Sequence, residues 1–193
     1  DSNNFIWTKD IRYAENYNKR AEILIRELNI LVENREFPTS QKLSTTVYDG
    51  IVEHKKQFSK IIEIQKLIGF NDQIGILANA NTSLVTLEKR LSQLTSTKNN
   101  IKLKNLISNI KIGEIELAQN IGIKKQEDIR VLINLLSQAV SNATLQNKEK
   151  KILERLIQSH SNDITQLSRS YMVYNKAKTR LGEISAYIAP SIN

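Results

Sequence analysis

Leu77-Ala-Asn-Ala80-Asn-Thr-Ser-Leu84-Val-Thr-Leu87-Glu-Lys-Arg-Leu91-Ser-Gln-Leu94 is the stretch that decides the fold. Its apolar residues step alternately by three and four, which lines them up along one stripe of an α-helix facing a partner. The same spacing recurs in Val47, Ile51, His54, Phe58, Ile61, Gln65 and Ile68. It recurs again in Leu153, Ile157, His160, Ile164, Leu167, Tyr171, Tyr174, Lys178 and Leu181. No alternating period-2 pattern is sustained, so the sequence predicts an all-α chain.

Breakers cut this pattern into elements. A first helix is predicted over about 4–35, ended by Phe37-Pro38-Thr39-Ser40, with Thr39 or Ser40 as N-cap of a second over about 40–69. Gly69 and Asn71-Asp72 close the second helix. A long helical stretch follows over roughly 73–121, its heptad phase disturbed from Thr95 to Asn100, until Gly122 interrupts it. A short helix over about 125–142 and a last one over about 145–187, stopped at Ala189-Pro190, complete the chain. At 1.5 Å per residue the two long stretches would each reach roughly 65–75 Å if unbroken. Short connections favour antiparallel neighbours. The expectation is an elongated all-α architecture of two stacked antiparallel, four-helix-bundle-like modules sharing long helices, module one over about 1–95 and module two over about 96–193.

Composition narrows the function classes. The chain has 193 residues, 40% apolar and 25% charged, enough to bury a core. Its bias to 27 Ile, 20 Asn and 19 Lys reads as an AT-rich genome rather than as function. Without cysteine there is no disulfide, no thiolate metal site and no cysteine nucleophile. A net charge of +8 permits anionic partners, but Lys and Arg are interleaved with Glu and Asp, as in Glu33-Asn34-Arg35-Glu36, so nucleic acid is not expected. The charge-free stretch Val131 to Asn147 is too short and polar to span a bilayer. Opening on Asp1 rather than Met, the chain is expected to be a mature or excised fragment. No phosphate-binding glycine loop, no His-x-x-x-His and no nucleophile with an obvious base emerges, so neither enzyme activity, nor a cofactor, nor a metal is expected. The two His are too far apart in sequence for ligand spacing.

An architecture of two modules predicts an internal repeat. Ile51-Val-Glu-His54-Lys-Lys-Gln-Phe58-Ser-Lys-Ile61 aligns with Ile157-Gln-Ser-His160-Ser-Asn-Asp-Ile164-Thr-Gln-Leu167, which sets the chain's 2 His opposite each other. Ile11-Arg12-Tyr13-Ala14-Glu15 aligns in the same order with Ile110-Lys111-Ile112-Gly113-Glu114. A duplication and the chance alignment of heptad helices both account for this.

With these residues, the chain resembles the helical bimodular sensor domain of bacterial methyl-accepting chemotaxis receptors and sensor histidine kinases. The likeness centres on Phe58-Ser-Lys-Ile-Ile-Glu-Ile-Gln-Lys-Leu-Ile-Gly69-Phe-Asn-Asp-Gln-Ile-Gly75-Ile-Leu and runs on through Leu84-Val-Thr-Leu-Glu88. The family's Tyr-x-x-x-Phe pattern stands here as His54-x-x-x-Phe58 and His160-x-x-x-Ile164. Its basic-then-acidic segment is reduced to Arg12-Tyr13-Ala14-Glu15-Asn16-Tyr17, and further at Lys111 to Glu116. The ending Ile188-Ala189-Pro190-Ser191-Ile192 resembles the approach to a second transmembrane helix. The resemblance implies the periplasmic part of an inner-membrane receptor, anchored by flanking helices outside this fragment and homodimeric at full length. It would bind a small organic acid between helices or engage a periplasmic binding protein, and pass a helix shift across the membrane.

The ligand residues so implied are Arg12, Tyr13 and Tyr17 in module one and Lys111 in module two. Arg12 would hold a carboxylate through its planar fork while the two phenols add donors; the other reading is an Arg on a solvated face. Arg20 and Arg26 face either the same cavity or water. His54 and His160 occupy seam positions where an apolar residue is expected. Each is either a satisfied core His or the lining of a polar cavity that helps bind an anion, with affinity falling as pH rises through about 6.5. A rival function is a ligand-free helical spacer or surface coiled coil with a dry seam.

Overall fold

The computed structural model describes residues 1–33, 38–71, 73–94, 98–119 and 123–191; within these, only the backbone is described at 38–40, 94, 98–100, 118–119 and 123–125. The described residues form helices α1 (Ser2–Thr8), α2 (Ile11–Glu33), α3 (Pro38–Ile68), α4 (Gly75–Leu94), α5 (Lys98–Gln119), α6 (Ile123–Ser141) and α7 (Asn147–Ile188), then a 3₁₀ turn at Ala189–Ser191. No strand is present among them, as the periodicity predicts. None of these helices is long and apolar enough to cross a membrane.

One element differs from expectation. The predicted first helix is broken after Thr8, where Lys9 takes a left-handed conformation (φ 58°) and its amide donates back to the Phe5 carbonyl. Asp10 then caps α2: its Oδ1 accepts from the Arg12 amide at 2.9 Å. Within the stretch predicted over 73–121 lie α4 and α5, and what joins them falls outside the described residues. The phase disturbance after Thr95 and the break at Gly122 fall outside the described residues, at least as regards side chains. So do the cap candidates Thr39 and Ser40. Helix α3 begins ahead of them at Pro38, whose fixed φ and missing N–H suit a first helical position.

The chain divides into two compact units, residues 1–66 with 173–193 and residues 67–172. This partition is drawn differently from sequential halves at residue 95, because α7 belongs to one unit through Met172 and to the other beyond it.

The first unit is built around aromatic rings. Phe5 and Phe58 are fully buried and meet edge-on at 5.6 Å, and the Tyr17 ring stands 4.4 Å from Phe58. Phe5 and Ile6 are the buried residues of α1, so this short helix owes its place to packing rather than to helix propensity. The end of α7 contributes Tyr174, Ala177, Leu181, Ile184 and Ile188. Ala177 takes the buried position that the heptad count assigns to Lys178, which is exposed. At Gly50 a methyl group would lie 2.1 Å from Ile188 Cγ2, so only glycine lets α3 come this close to the last turn of α7.

The second unit has the predicted seam of α4 at its centre: Ala80, Leu84, Leu87 and Leu91 are buried, with Leu103, Ile107 and Ile110 of α5, Ile133 and Leu136 of α6, and Leu153, Ile157 and Ile164 of α7. Each such Leu or Ile side chain withdrawn from water contributes about 1.5–3 kcal/mol. Its entry turn runs from Gly69 (φ 110°) to Gly75 (φ 84°), both in backbone regions that side chains avoid. Asn71 Oδ1 accepts from the Gln73 amide at 3.0 Å and tightens that turn. Arg90 of α4 grips Glu149 in the first turn of α7, with contacts of 3.0–3.2 Å from both its Nε and Nη2.

Candidate functional site

Within the first unit, α1, α2, α3 and the last turn of α7 enclose a cleft of about 400 Å³. Tyr17 and Arg20 reach it from one turn of α2, and Ala21 and Leu24 from the next. Ile51 and His54 enter from α3, and Ser185 and Ile188 from α7. Helical spacing puts Tyr17 and Leu24 about 10 Å apart along α2, so a polar level and an apolar level follow one another along the cleft.

The polar level is held by a hydrogen bond between Tyr17 Oη and His54 Nδ1. Their rings tilt together at 5.4 Å. Burial acts on both groups. It pushes the Tyr17 phenol up to about 12 and holds the His54 imidazole below its ordinary 6.5, so both are uncharged near neutral pH. With the phenol as donor, the imidazole carries its proton on Nε2, which has no protein partner among the described residues. The anion-assisting, protonated His expected near pH 6.5 is therefore displaced to lower pH by desolvation.

Arg20 supplies the charge. Its guanidinium lies mostly in solvent at the cleft, with Nη1 3.3 Å from Asp1 Oδ2. Asp1 stands at the N-cap of α1 yet makes no capping bond with its side chain. Its carboxylate, 16% exposed, is turned to Arg20 instead.

Of the residues that sequence reasoning singled out for module one, the structure brings Tyr17 and His54 together. Arg12 is not with them. Its side chain is 82% exposed and closes back on Asp10, whose carboxyl those bonds hold below its usual range. The reason is local: Arg12 is the second residue of α2, where its amide and guanidinium both serve the cap. Tyr13 is half-buried and does not line the cleft. Arg20, left undecided by the sequence, is the cation that does.

In the second unit Lys111 pairs with Glu88, both half-exposed, so its charge is already answered by the acidic residue of α4. His160 is 1% exposed. Its Nδ1 lies 2.8 Å from Ser83 Oγ, which also donates to the Ala80 carbonyl. Its Nε2 lies 2.8 Å from Glu114 Oε1, bent out of hydrogen-bond alignment. Asp163 stands near Ser83 and His160, and burial pushes its carboxyl above the ordinary value. These groups form a packed polar knot among α4, α5 and α7. No group of three or more His, Cys, Asp or Glu able to hold a metal occurs among the described residues.

One feature carried no sequence signal. Lys9, in its left-handed turn, places Nζ 2.6 Å from the Ile6 carbonyl, against the Tyr174 hydroxyl and 4.5 Å from that ring's centre. Burial, with Lys178 near by, lowers its ammonium to about 8.

The chain is thus an all-helical protein of two compact units, one with a cleft that combines a guanidinium, a phenol and a neutral imidazole. It matches no family model and no curated protein.

Proposed function

We propose that this chain is the extracytoplasmic ligand-sensing domain of a bacterial transmembrane receptor, of the chemotaxis-receptor or sensor-kinase kind, and that a small organic acid binds between the helices of the first unit. The observation that carries the proposal is the cleft where Tyr17, Arg20 and His54 converge beside the last turn of α7. A carboxylate entering it meets a guanidinium able to give two parallel hydrogen bonds, and an imidazole N–H within the same lining. Because Ser185 and Ile188 belong to the lining, a ligand there bears directly on the end of α7 and biases its position. The reading assigns no reaction to the chain. It is supported against a ligand-free spacer by the polar level in a seam that a spacer would fill with apolar side chains.

A thermal-shift titration with a panel of organic acids tests it. At least one acid is expected to raise the melting temperature in a concentration-dependent way, and Arg20→Gln should diminish that rise. A panel without any response, together with protection by a periplasmic binding protein, would replace this reading by protein recognition. Silence toward both would return the chain to the spacer class.

A further inference from the structure

Resting on that reading, we propose that the cleft of the first unit selects monocarboxylates with a compact apolar body, of the short- to medium-chain fatty-acid class, over dicarboxylates.

The side chains of the lining offer a single cation to an anionic ligand. Arg20 is its cation and Asp1 its anion. Tyr17 and His54 are uncharged near neutral pH because both are buried. A ligand carboxylate that takes over Arg20 displaces Asp1, whose carboxylate is then free to cap α1. A second carboxylate finds no second cationic side chain in the lining. It would lie against apolar side chains or be held in solvent at the rim, and an unpaired buried charge is strongly disfavoured.

The position of the apolar residues supplies the rest. Beyond the Tyr17–His54 level the lining is Ala21, Leu24, Ile51 and Ile188. The proximity of Gly50 to Ile188 places Ile51 and Ile188 on the same level. Ser185 also reaches the cleft, with its hydroxyl donating to the Leu181 carbonyl at 3.0 Å, and Ser2 lies in the lining as well. A carboxylate set at Arg20 and His54 therefore directs its own chain toward branched aliphatic side chains. A volume of about 400 Å³ lies toward the small end of ligand cavities, which suits a body of a few carbons better than a long acyl chain.

Isothermal titration of the whole chain with acetate, butyrate, hexanoate and octanoate, set beside succinate and malate, tests this. Affinity is expected to climb about fourfold per added methylene until the cleft is filled. Hexanoate should exceed succinate and malate by at least about tenfold, the scale of one unpaired charge. Arg20→Gln, at an exposed position that leaves the core untouched, should weaken every acid about tenfold or more. Ile51→Thr should flatten the dependence on chain length while leaving acetate unaffected. A flat series, or tighter binding of succinate or malate than of hexanoate, overturns the assignment of ligand class and leaves the organic-acid reading standing. Hexanoate binding indifferent to both variants also overturns it, since the acid would then sit elsewhere. If no carboxylate binds while circular dichroism shows the helical fold intact, the ligand class and the sensor reading fall together.

Discussion

Tyr17→Phe isolates the bond that gives the cleft its polar level. The substitution keeps the ring that meets Phe58 edge-on at 4.4 Å and removes only the hydroxyl that meets His54 Nδ1. Loss of one neutral hydrogen bond costs about 0.5–1.5 kcal/mol, and leaving Nδ1 without a partner adds about 1–3 kcal/mol in a fully enclosed site. Because His54 borders a cleft that admits water, the lower part of that range applies, and we expect a total of about 1.5 kcal/mol. His54→Leu strands the Tyr17 hydroxyl in the same way and should cost a similar amount. The pair Tyr17→Phe with His54→Leu replaces both partners by apolar groups and leaves nothing stranded. The double variant should therefore be more stable than the sum of the singles predicts, by about 1 kcal/mol or more. Urea unfolding followed by far-ultraviolet circular dichroism measures all four corners of this cycle. Strictly additive singles would mean that the two side chains do not hold each other, and the cleft would lose the argument for its geometry.

Three further outcomes follow from particular contacts. Gly69→Ala, at φ 110° and with its new methyl 1.8 Å from the Ile74 carbonyl oxygen, should cost at least about 2 kcal/mol in urea unfolding; a loss within 0.5 kcal/mol (about the error of such cycles) would contradict the turn described. The Arg90→Met and Glu149→Gln cycle should show a coupling of about 1 kcal/mol that shrinks between low and high salt, and a coupling insensitive to salt would refute a charge-assisted pair. Lys9 is lowered from 10.5 to about 8, so its contribution to stability is complete above pH 10.5 and is lost as pH falls through about 8. The stability of the parent relative to Lys9→Met should accordingly rise between pH 7.5 and 10.5, and a constant difference across that window would show that the ammonium is not desolvated.

What could be read from the sequence follows from how each residue acts. The three apolar seams were legible because the burial of a helix face leaves its period in the chain: Val47, His54, Phe58, Ile61, Gln65 and Ile68 are all buried as the spacing requires. The turn at Gly69 was legible because only glycine accepts its backbone angles. The break at Lys9 was not, because a lysine gives no sign that it will turn left-handed. The sign that did exist lay one residue on, where Asp10 precedes the helix it caps. Arg12 was misplaced for the same reason, since a basic residue beside an aromatic says nothing about being the second residue of a helix. His54 and Tyr17 stand 37 positions apart in sequence, and His54 and the cleft's Ser185 further still, so their meeting depends on packing that periodicity alone does not specify.

The knot around His160 has a mechanical consequence for the unit of residues 67–172. Advancing a helix by one residue turns it by about 100°, which carries a side chain from one neighbour's flank to another's. Apolar contacts tolerate such slippage because leucine and isoleucine find comparable company all round, whereas an imidazole placed between a serine and a glutamate finds those neighbours in one orientation only. His160 therefore acts as an index mark: it favours one setting of the Asn147–Met172 part of α7 against α4 and α5, and a rotation of that part must break its contact with Ser83.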